Sequence, residues 1–380
     1  MRIQVQTGER DFCEDAGGTS NQNGVITSMN ETSIAFLCEL LNSPGPSGFE
    51  QRPSRLWRTH AQSIADEVTH DVLGNSYARL ALPGRPVAVI EGHIDEIGFM
   101  ITHVDEQGYL WFDRIGGWDL QVLVGQRVQI MGTGGDVVGV IGRKAAHILE
   151  DSDKDRVPPI RELWIDIGAS SRDEAQQQVQ VGDPAVLDAG FRQLTKDRIV
   201  SRSLDNRVGA YVALETLRLL SENRPNVDTF ALAATQEEVS YAGAFTATYS
   251  LRPAVAVVLD VTHATDYPGA DKRSDGEVVI GGGPVLSRGA SINLPAYHLI
   301  RETAEREGIP FQLQGAPRSS GTDADAIIKV GPGVATVLVS IPNRYMHSPN
   351  ELVSLGDLDQ TAKLVAAFIR TIDDSTDFRP

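Results

Sequence analysis

Only two cysteines, Cys13 and Cys38, occur in 380 residues. Two thiols cannot build a disulfide framework or a cysteine-rich zinc site, and a reducing compartment, the cytoplasm, is the expected home. Basic residues are in the minority: 34 Lys and Arg against 51 Asp and Glu leave a net charge of −17. So acidic a surface argues against nucleic acid or an anionic membrane as partner and says nothing about the fold. No apolar run approaches the ~20 residues that span a bilayer. No internal repeat is present, and low complexity is confined to residues 1–28, which are polar and rich in Gly, Asn and Gln. That stretch has no hydrophobic signal region and no periodicity. It is expected to be a disordered extension or the product of a start codon assigned too early.

The remainder reads as an ordinary globular protein, 41% hydrophobic and 22% charged, long enough for two or three domains. Ile34, Leu37, Cys38 and Leu41 recur at helical spacing and predict a helix over 31–42. Leu56, His60, Ile64 and Val68 predict a second over 53–68. Asp71-Val-Leu-Gly-Asn75 reads as a hairpin turn, and Pro86-Val-Ala-Val-Ile-Glu91 as a central strand running into Gly92-His93-Ile-Asp95.

Between 98 and 190 the texture changes. Short β-prone runs such as Arg127-Val-Gln-Ile-Met131 and Val137-Val-Gly-Val-Ile141 alternate with Gly-rich turns, the pattern of a small barrel or sandwich. From 191 onward strands (230–235, 254–259, 334–341) alternate with helices (from Asp205, 295–307, and a last one carrying Leu358 to Ile372). The expected fold is α/β, a doubly wound mixed sheet with helices on both faces, made of 29–97 and 191–380. A small β-barrel of 98–190 is inserted into it.

Polar residues of metal-ligand type follow four predicted strands: His93 with Asp95, Glu237 with Glu238, Asp260, and His347. Asp205 joins them from a helix start. Singly, each has a bland explanation. Asp205 is a helix cap, His93 a hydrogen-bonded structural residue, Glu237-Glu238 a solvated face, Asp260 the start of a turn. Jointly they fall on one sheet edge, where doubly wound folds build their sites. Two imidazoles and several carboxylates suit Zn²⁺ or Co²⁺. The carboxylates Asp205, Glu238 and Asp260 balance two divalent cations better than one, and two ions ~3.5–4 Å apart can share a bridging carboxylate and activate a water. The remaining glutamate is then free as general base.

His93-Ile-Asp95-Glu-Ile-Gly-Phe-Met, Ser203-Leu-Asp205-Asn-Arg-Val-Gly, Gln236-Glu237-Glu238-Val, Leu259-Asp260-Val-Thr-His-Ala-Thr-Asp-Tyr-Pro-Gly and Tyr345-Met-His347-Ser-Pro resemble the motifs of the tetrahedral (TET) aminopeptidases. These are glutamyl and deblocking aminopeptidases, often labelled endoglucanases. The resemblance runs from about residue 29 to the C-terminus and includes Gly116-Gly-Trp-Asp-Leu-Gln-Val-Leu-Val-Gly-Gln126. It implies a zinc-peptidase-like fold and one ion on His93 and Asp260, the other on Glu238 and His347, with Asp205 bridging. It also implies Glu237 as general acid/base and Asp95 orienting His93. The cofactors implied are two divalent ions, zinc or cobalt with manganese as a further fit. The partners implied are short peptide substrates and copies of the chain itself, dimers through the barrel building a tetrahedral dodecamer. Asn206, Ser240-Tyr-Ala-Gly243 and Ala290-Ser291 depart from commoner family residues; the first two are not ligand positions in the family, and the last two touch substrate preference rather than chemistry.

The rival readings are a related two-metal carboxypeptidase or amide deacylase, a glycoside hydrolase, which needs two carboxyls but neither histidine, and an inert assembly protein. Arg288, Lys272 and Arg273 are candidate cations for an acidic N-terminal side chain, with ion-paired supports as the bland alternative.

Overall fold

The computed structural model describes Met29, residues 31–151 and residues 155–380. Residues 1–28, with the expectation placed on them, lie outside the described residues. After helices Glu31–Asn42 and Gln51–Ala61 come strands β1 (Glu67–His70), β2 (Ser76–Leu80) and β3 (Val87–His93). Six strands then form a closed barrel in the order β4-β5-β8-β7-β6-β9. They are β4 (Gly98–Val104), β5 (Leu110–Ile115), β6 (Arg127–Gly132), β7 (Gly135–Gly142), β8 (Trp164–Asp166) and β9 (Pro184–Leu187). The chain re-enters the main body through β10 (Arg192–Gln193), β11 (Arg198–Ser201) and the helix Leu204–Glu222. It continues with β12 (Asp228–Ala234), β13 (Val255–His263), β14 (Val285–Gly289), β15 (Gln312–Ala316), β16 (Ala335–Asn343), β17 (Glu351–Ser354) and the helix Leu355–Arg370.

The main sheet has eight strands in the order β1-β2-β12-β3-β13-β16-β14-β15. Its four central strands are mutually parallel, so their C-terminal ends share one edge. β13 is buried from Val255 to Thr262, as a central strand covered on both faces must be. One face is covered by Leu204–Glu222, which packs on β3, β12 and β13 and on Leu355–Arg370. The other carries Ala242–Leu251, which packs on β3 and β12. Gly92 of β3 explains how near the first helix comes: a Cβ there would lie 2.4 Å from the Gly209 carbonyl carbon. Strand alternation sends the neighbouring Glu91 to the opposite face, toward Asp323.

The barrel has its own core, with Phe99 stacked on Trp118 at 5.0 Å and edge-on to Phe112 at 5.2 Å. No helix among the described residues is long and apolar enough to cross a membrane.

The expected second helix is shorter than its periodicity implies. It stops at Ala61, and Val68 lies instead in β1, paired with Ala78 of β2. Spacing of four fits a helix in isolation, but pairing with an exposed strand edge satisfies the backbone of this Val-Thr stretch and overrides it. β13 runs past Asp260 to His263, and the last helix ends before Ile372. A small sheet, β10-β11-β17, was not anticipated.

Candidate active site

His93 is the last residue of β3, beside Ala234 at the end of β12. Beyond β12, Gln236 adopts a left-handed backbone (φ 61°), and Glu237–Ser240 form one helical turn. The two glutamates therefore open a helical turn, with Glu237 buried rather than on a solvated face. Asp95 holds that turn in place. It is fully buried, its Oδ1 accepts the N–H of Glu237 and its Oδ2 that of Glu238, both at 3.2 Å. The same Oδ1 lies 3.3 Å from His93 Nδ1. One carboxylate thus aligns an imidazole and caps the turn that carries both glutamates.

Asp205 is not the simple helix cap that its position implies. Its own dihedrals (φ −80°, ψ 107°) are non-helical. Asn206 takes over the capping role: its Oδ1 accepts the N–H of Gly209 at 3.0 Å, while its amide donates to the Leu259 carbonyl at 2.7 Å. Asp205 is left to face the site. Its Oδ1 lies 3.3 Å from His93 Nε2 and its Oδ2 3.3 Å from His347 Nε2. Asp260 Oδ1 is 3.9 Å and Glu237 Oε2 3.7 Å from His93 Nε2, and Glu238 Oε1 is 3.4 Å from His347 Nε2.

All seven residues singled out in the sequence thus converge. Three groups are compact enough to hold a cation, with ligand-type atoms within 4.8 Å of one another. One is His93, Glu237 and Glu238; the other two are His93, Asp205 and Asp260, and Asp205, Glu238 and His347. Asp205 belongs to both of the latter. The donor set fits two divalent ions, and the buried Oε1 of Glu238 has no hydrogen-bond donor, as a ligand oxygen would not. His347 and Tyr345 have left-handed backbones (φ 59° and 62°), a conformation that non-glycine residues adopt where the surroundings hold them.

The electrostatics are those of crowded acid. Burial pushes the Glu237 carboxyl up to about 10, with the charges of Asp260, Asp323 and Glu238 adding to the shift and His93 opposing it. Burial likewise raises Asp260 and Glu238. Burial raises Asp205 too, but hydrogen bonds to both histidines outweigh it and hold the group below the carboxylate range. Burial lowers His347, yet Asp205 and Glu238 carry it up to about 11.

Several buried carboxyls escaped the sequence reading. Glu351 accepts backbone N–H groups of both Asp205 and His347. Glu96 is ion-paired with Arg202 and Arg207 directly after the His93-Asp95 pair. Glu50, pushed up to about 7 by burial and then by Asp95, accepts the N–H of Gln236 at 3.2 Å. Glu91 and Asp323 lie buried on the face opposite Gly92. A glutamate inside the apolar run of β3 was a readable signal for Glu91; the others had none outside the folded chain. Arg288 lies over the Tyr297 ring, Lys272 pairs with Glu277 and Arg273 with Asp271, and none of the three lines the cavity over the metal-ligand residues.

A doubly wound sheet presenting two cation-holding groups joined by one aspartate defines a two-metal hydrolase. Residues 74–364 match the M42 glutamyl aminopeptidase family, and the chain belongs to it. It is a binuclear metallo-aminopeptidase. Lysyl aminopeptidase of Pyrococcus furiosus is 34% identical over 348 residues, which are 90% of this chain and 98% of that protein. Among solved structures, a TET aminopeptidase of the marine sediment archaeon Thaumarchaeota archaeon SCGC AB-539-E09 superposes with TM-score 0.87 at 33% identity, covering 90% of this chain and 97% of its own. The Pyrococcus horikoshii TET1 peptidase, which can assemble into a tetrahedron or a large octahedral shell, does so with TM-score 0.81 at 28% identity, covering 90% and 100%.

Proposed function

We propose that His93 and Asp260 hold one divalent ion, Glu238 and His347 the other, and that Asp205 bridges them while Glu237 moves the proton. The observation that carries this division is that Asp205 turns one oxygen to each imidazole, at 3.3 Å in both cases. Zinc or cobalt is the expected occupant, manganese a further fit to the same ligands. Bound there, the ions supply Lewis-acid polarisation of the scissile carbonyl and lower the pKa of a water. Glu237 stands outside both groups that contain Asp205, in the third group with His93 and Glu238, and lines the same cavity of about 360 Å³. It accepts the proton of the attacking water and returns it to the leaving amine of the second residue. Asp95 holds His93 and the Glu237 turn in register. Acidic side chains on the cavity wall suit a free α-amine, which supports removal of residues one at a time from the N-terminus of short peptides.

Residues 29–97 and 191–380 are proposed as the catalytic unit. The barrel, 98–190, is proposed as the surface through which dimers form and build a dodecamer; support comes from the assembly of the P. horikoshii TET1 relative. The test is Glu237→Gln on aminoacyl-p-nitroanilides with metal analysis of the same sample. Both ions should be retained and turnover should fall by about 10²-fold or more. Wild-type turnover by this variant, or cleavage of N-terminally blocked peptides by the wild type, overturns the reading. Native mass spectrometry tests the assembly, a monomer being the contrary result.

A further inference from the structure

The reading of the site as an aminopeptidase centre leaves open which N-terminal residue it takes, and this inference rests on that reading. The cavity over the metal-ligand residues has no Lys or Arg in its wall among the described residues. Beyond the ligands and Glu237 its wall is mainly hydroxyl-bearing and apolar, with Thr262, Ser320, Thr322 and Met346 prominent and the imidazole of His263 at one side. A second cavity of about 340 Å³ adjoins it, and Tyr241 lines both. The Tyr241 phenol is pushed up by burial and then by the charges of both Glu237 and Asp325, so it stands within the field of each.

Asp325 lines the second cavity and is 6% exposed. Its Oδ2 accepts the N–H of Gly321, a wall residue of the first cavity, at 2.9 Å, and its Oδ1 is buried with no hydrogen-bond donor. Burial pushes this carboxyl up, but neighbouring Ser291 and the Ser320–Gly321 backbone outweigh burial and hold it below the ordinary carboxylate range. It is therefore a charge at neutral pH. The cation lining the same cavity, Lys329, is exposed, where water and salt screen it. A buried carboxylate acts through a lower dielectric and governs the local field.

We propose that the side chain of the substrate's N-terminal residue passes Tyr241 into the second cavity in front of Asp325, and that the enzyme takes basic and long neutral N-terminal residues and rejects acidic ones. Asp325 is on this view the residue that determines specificity. Two like charges about 6 Å apart at an effective dielectric near 20 differ from an uncharged pair by a factor on the order of 10², which sets the expected discrimination.

The experiment measures kcat/KM of the metal-loaded enzyme on Lys-, Arg-, Leu-, Met- and Glu-p-nitroanilides, for the wild type, Asp325→Asn and Lys329→Ala. The wild type should favour Lys, Arg, Leu and Met over Glu by on the order of 10²-fold. Asp325→Asn should lower the Lys-to-Leu ratio by about tenfold, as loss of a charge-assisted contact does. Lys329→Ala, which removes a cation from the wall of the same cavity, should not lower that ratio, and a fall as large as that of Asp325→Asn overturns the inference. A wild type that cleaves the Glu substrate as fast as the Lys one overturns the inference while the aminopeptidase reading stands. Equal loss on Lys and Leu substrates in Asp325→Asn overturns it too, because it marks a structural role. No turnover on any substrate overturns the underlying reading and this inference with it.

Discussion

Glu351 accepts the backbone N–H of Asp205 at 2.8 Å with one carboxylate oxygen, and with the other it accepts that of His347, also at 2.8 Å. Asp205, the residue shared by two of the cation-holding groups, and His347 are thereby held by a single buried side chain, 2% exposed. Glu351→Gln keeps the shape but exchanges one acceptor for a donor, which then faces a backbone N–H. The expected result is a 10–100-fold loss of metal affinity, the usual range for groups that orient ligands. Metal titration followed by calorimetry measures it; unchanged affinity would show that the clamp is dispensable.

Gly92 lets the helix that carries Asp205 come close to β3. Adding a methyl group in Gly92→Ala places it 2.4 Å from the Gly209 carbonyl carbon, so backbone must move. Overpacking of this kind costs about 1–3 kcal/mol. Because the displaced helix bears Asp205, activity should fall in addition to stability. Urea unfolding and kcat on the same preparation check both, and a variant with wild-type values in each contradicts the packing argument.

Arg207 is fully buried. It donates to Glu96 at 2.8 Å, to the Leu40 carbonyl at 2.9 Å, to the Ile94 carbonyl at 3.2 Å, and to the Ser43 carbonyl. Arg207→Met should destabilise the fold by about 3–5 kcal/mol, since Glu96 loses a buried partner and several carbonyls lose their donor. Denaturant titration reads the loss, and a change below about 1 kcal/mol would mean that Arg202 compensates alone.

Asp357 supplies a pH test away from the metal ligands. Burial pushes its carboxyl from 3.8 up to about 6, against the N–H groups of Gly281 and Gly283 that it accepts at 2.7 and 2.8 Å. The folded chain holds this proton more tightly than the unfolded chain does. Stability from the group is therefore complete below about pH 4 and is lost as the pH rises through about 6, by on the order of 3 kcal/mol. Asp357→Asn cannot ionise, so the difference between its unfolding free energy and that of the wild type should change across pH 4 to 7. A constant difference would contradict the raised pKa.

Much of the site was legible because catalytic residue types stand out where apolar strands end. His93, Glu237, Glu238, Asp260 and His347 each follow or close a run that can only be a buried strand, and parallel strands bring such ends to one edge. Helix Gln51–Ala61 was overextended because local spacing carries no information about the β2 edge waiting for Val68. Glu351, Glu96 and Glu50 were missed for a related reason. A glutamate in a loop or a short strand looks solvated until the chain folds around it, and their partners lie as far as 186 residues away.

The sequence by itself determined the chemistry: two imidazoles and a surplus of carboxylates placed after strand-forming runs, with no cysteine or basic cluster among them to support another reading. Where each carboxylate stands in the site was decided by tertiary structure. Asp205 became the shared group because the close approach of Gly92 and Gly209 brings its helix against β3, and because Asn206 takes the capping bond. Glu237 and Glu238 sit on a helical turn whose N–H groups Asp95 accepts, and the turn brings an oxygen of each within 4.8 Å of the other and of a His93 nitrogen. Side-chain direction of that kind depends on backbone geometry fixed by distant contacts, and no local pattern encodes it.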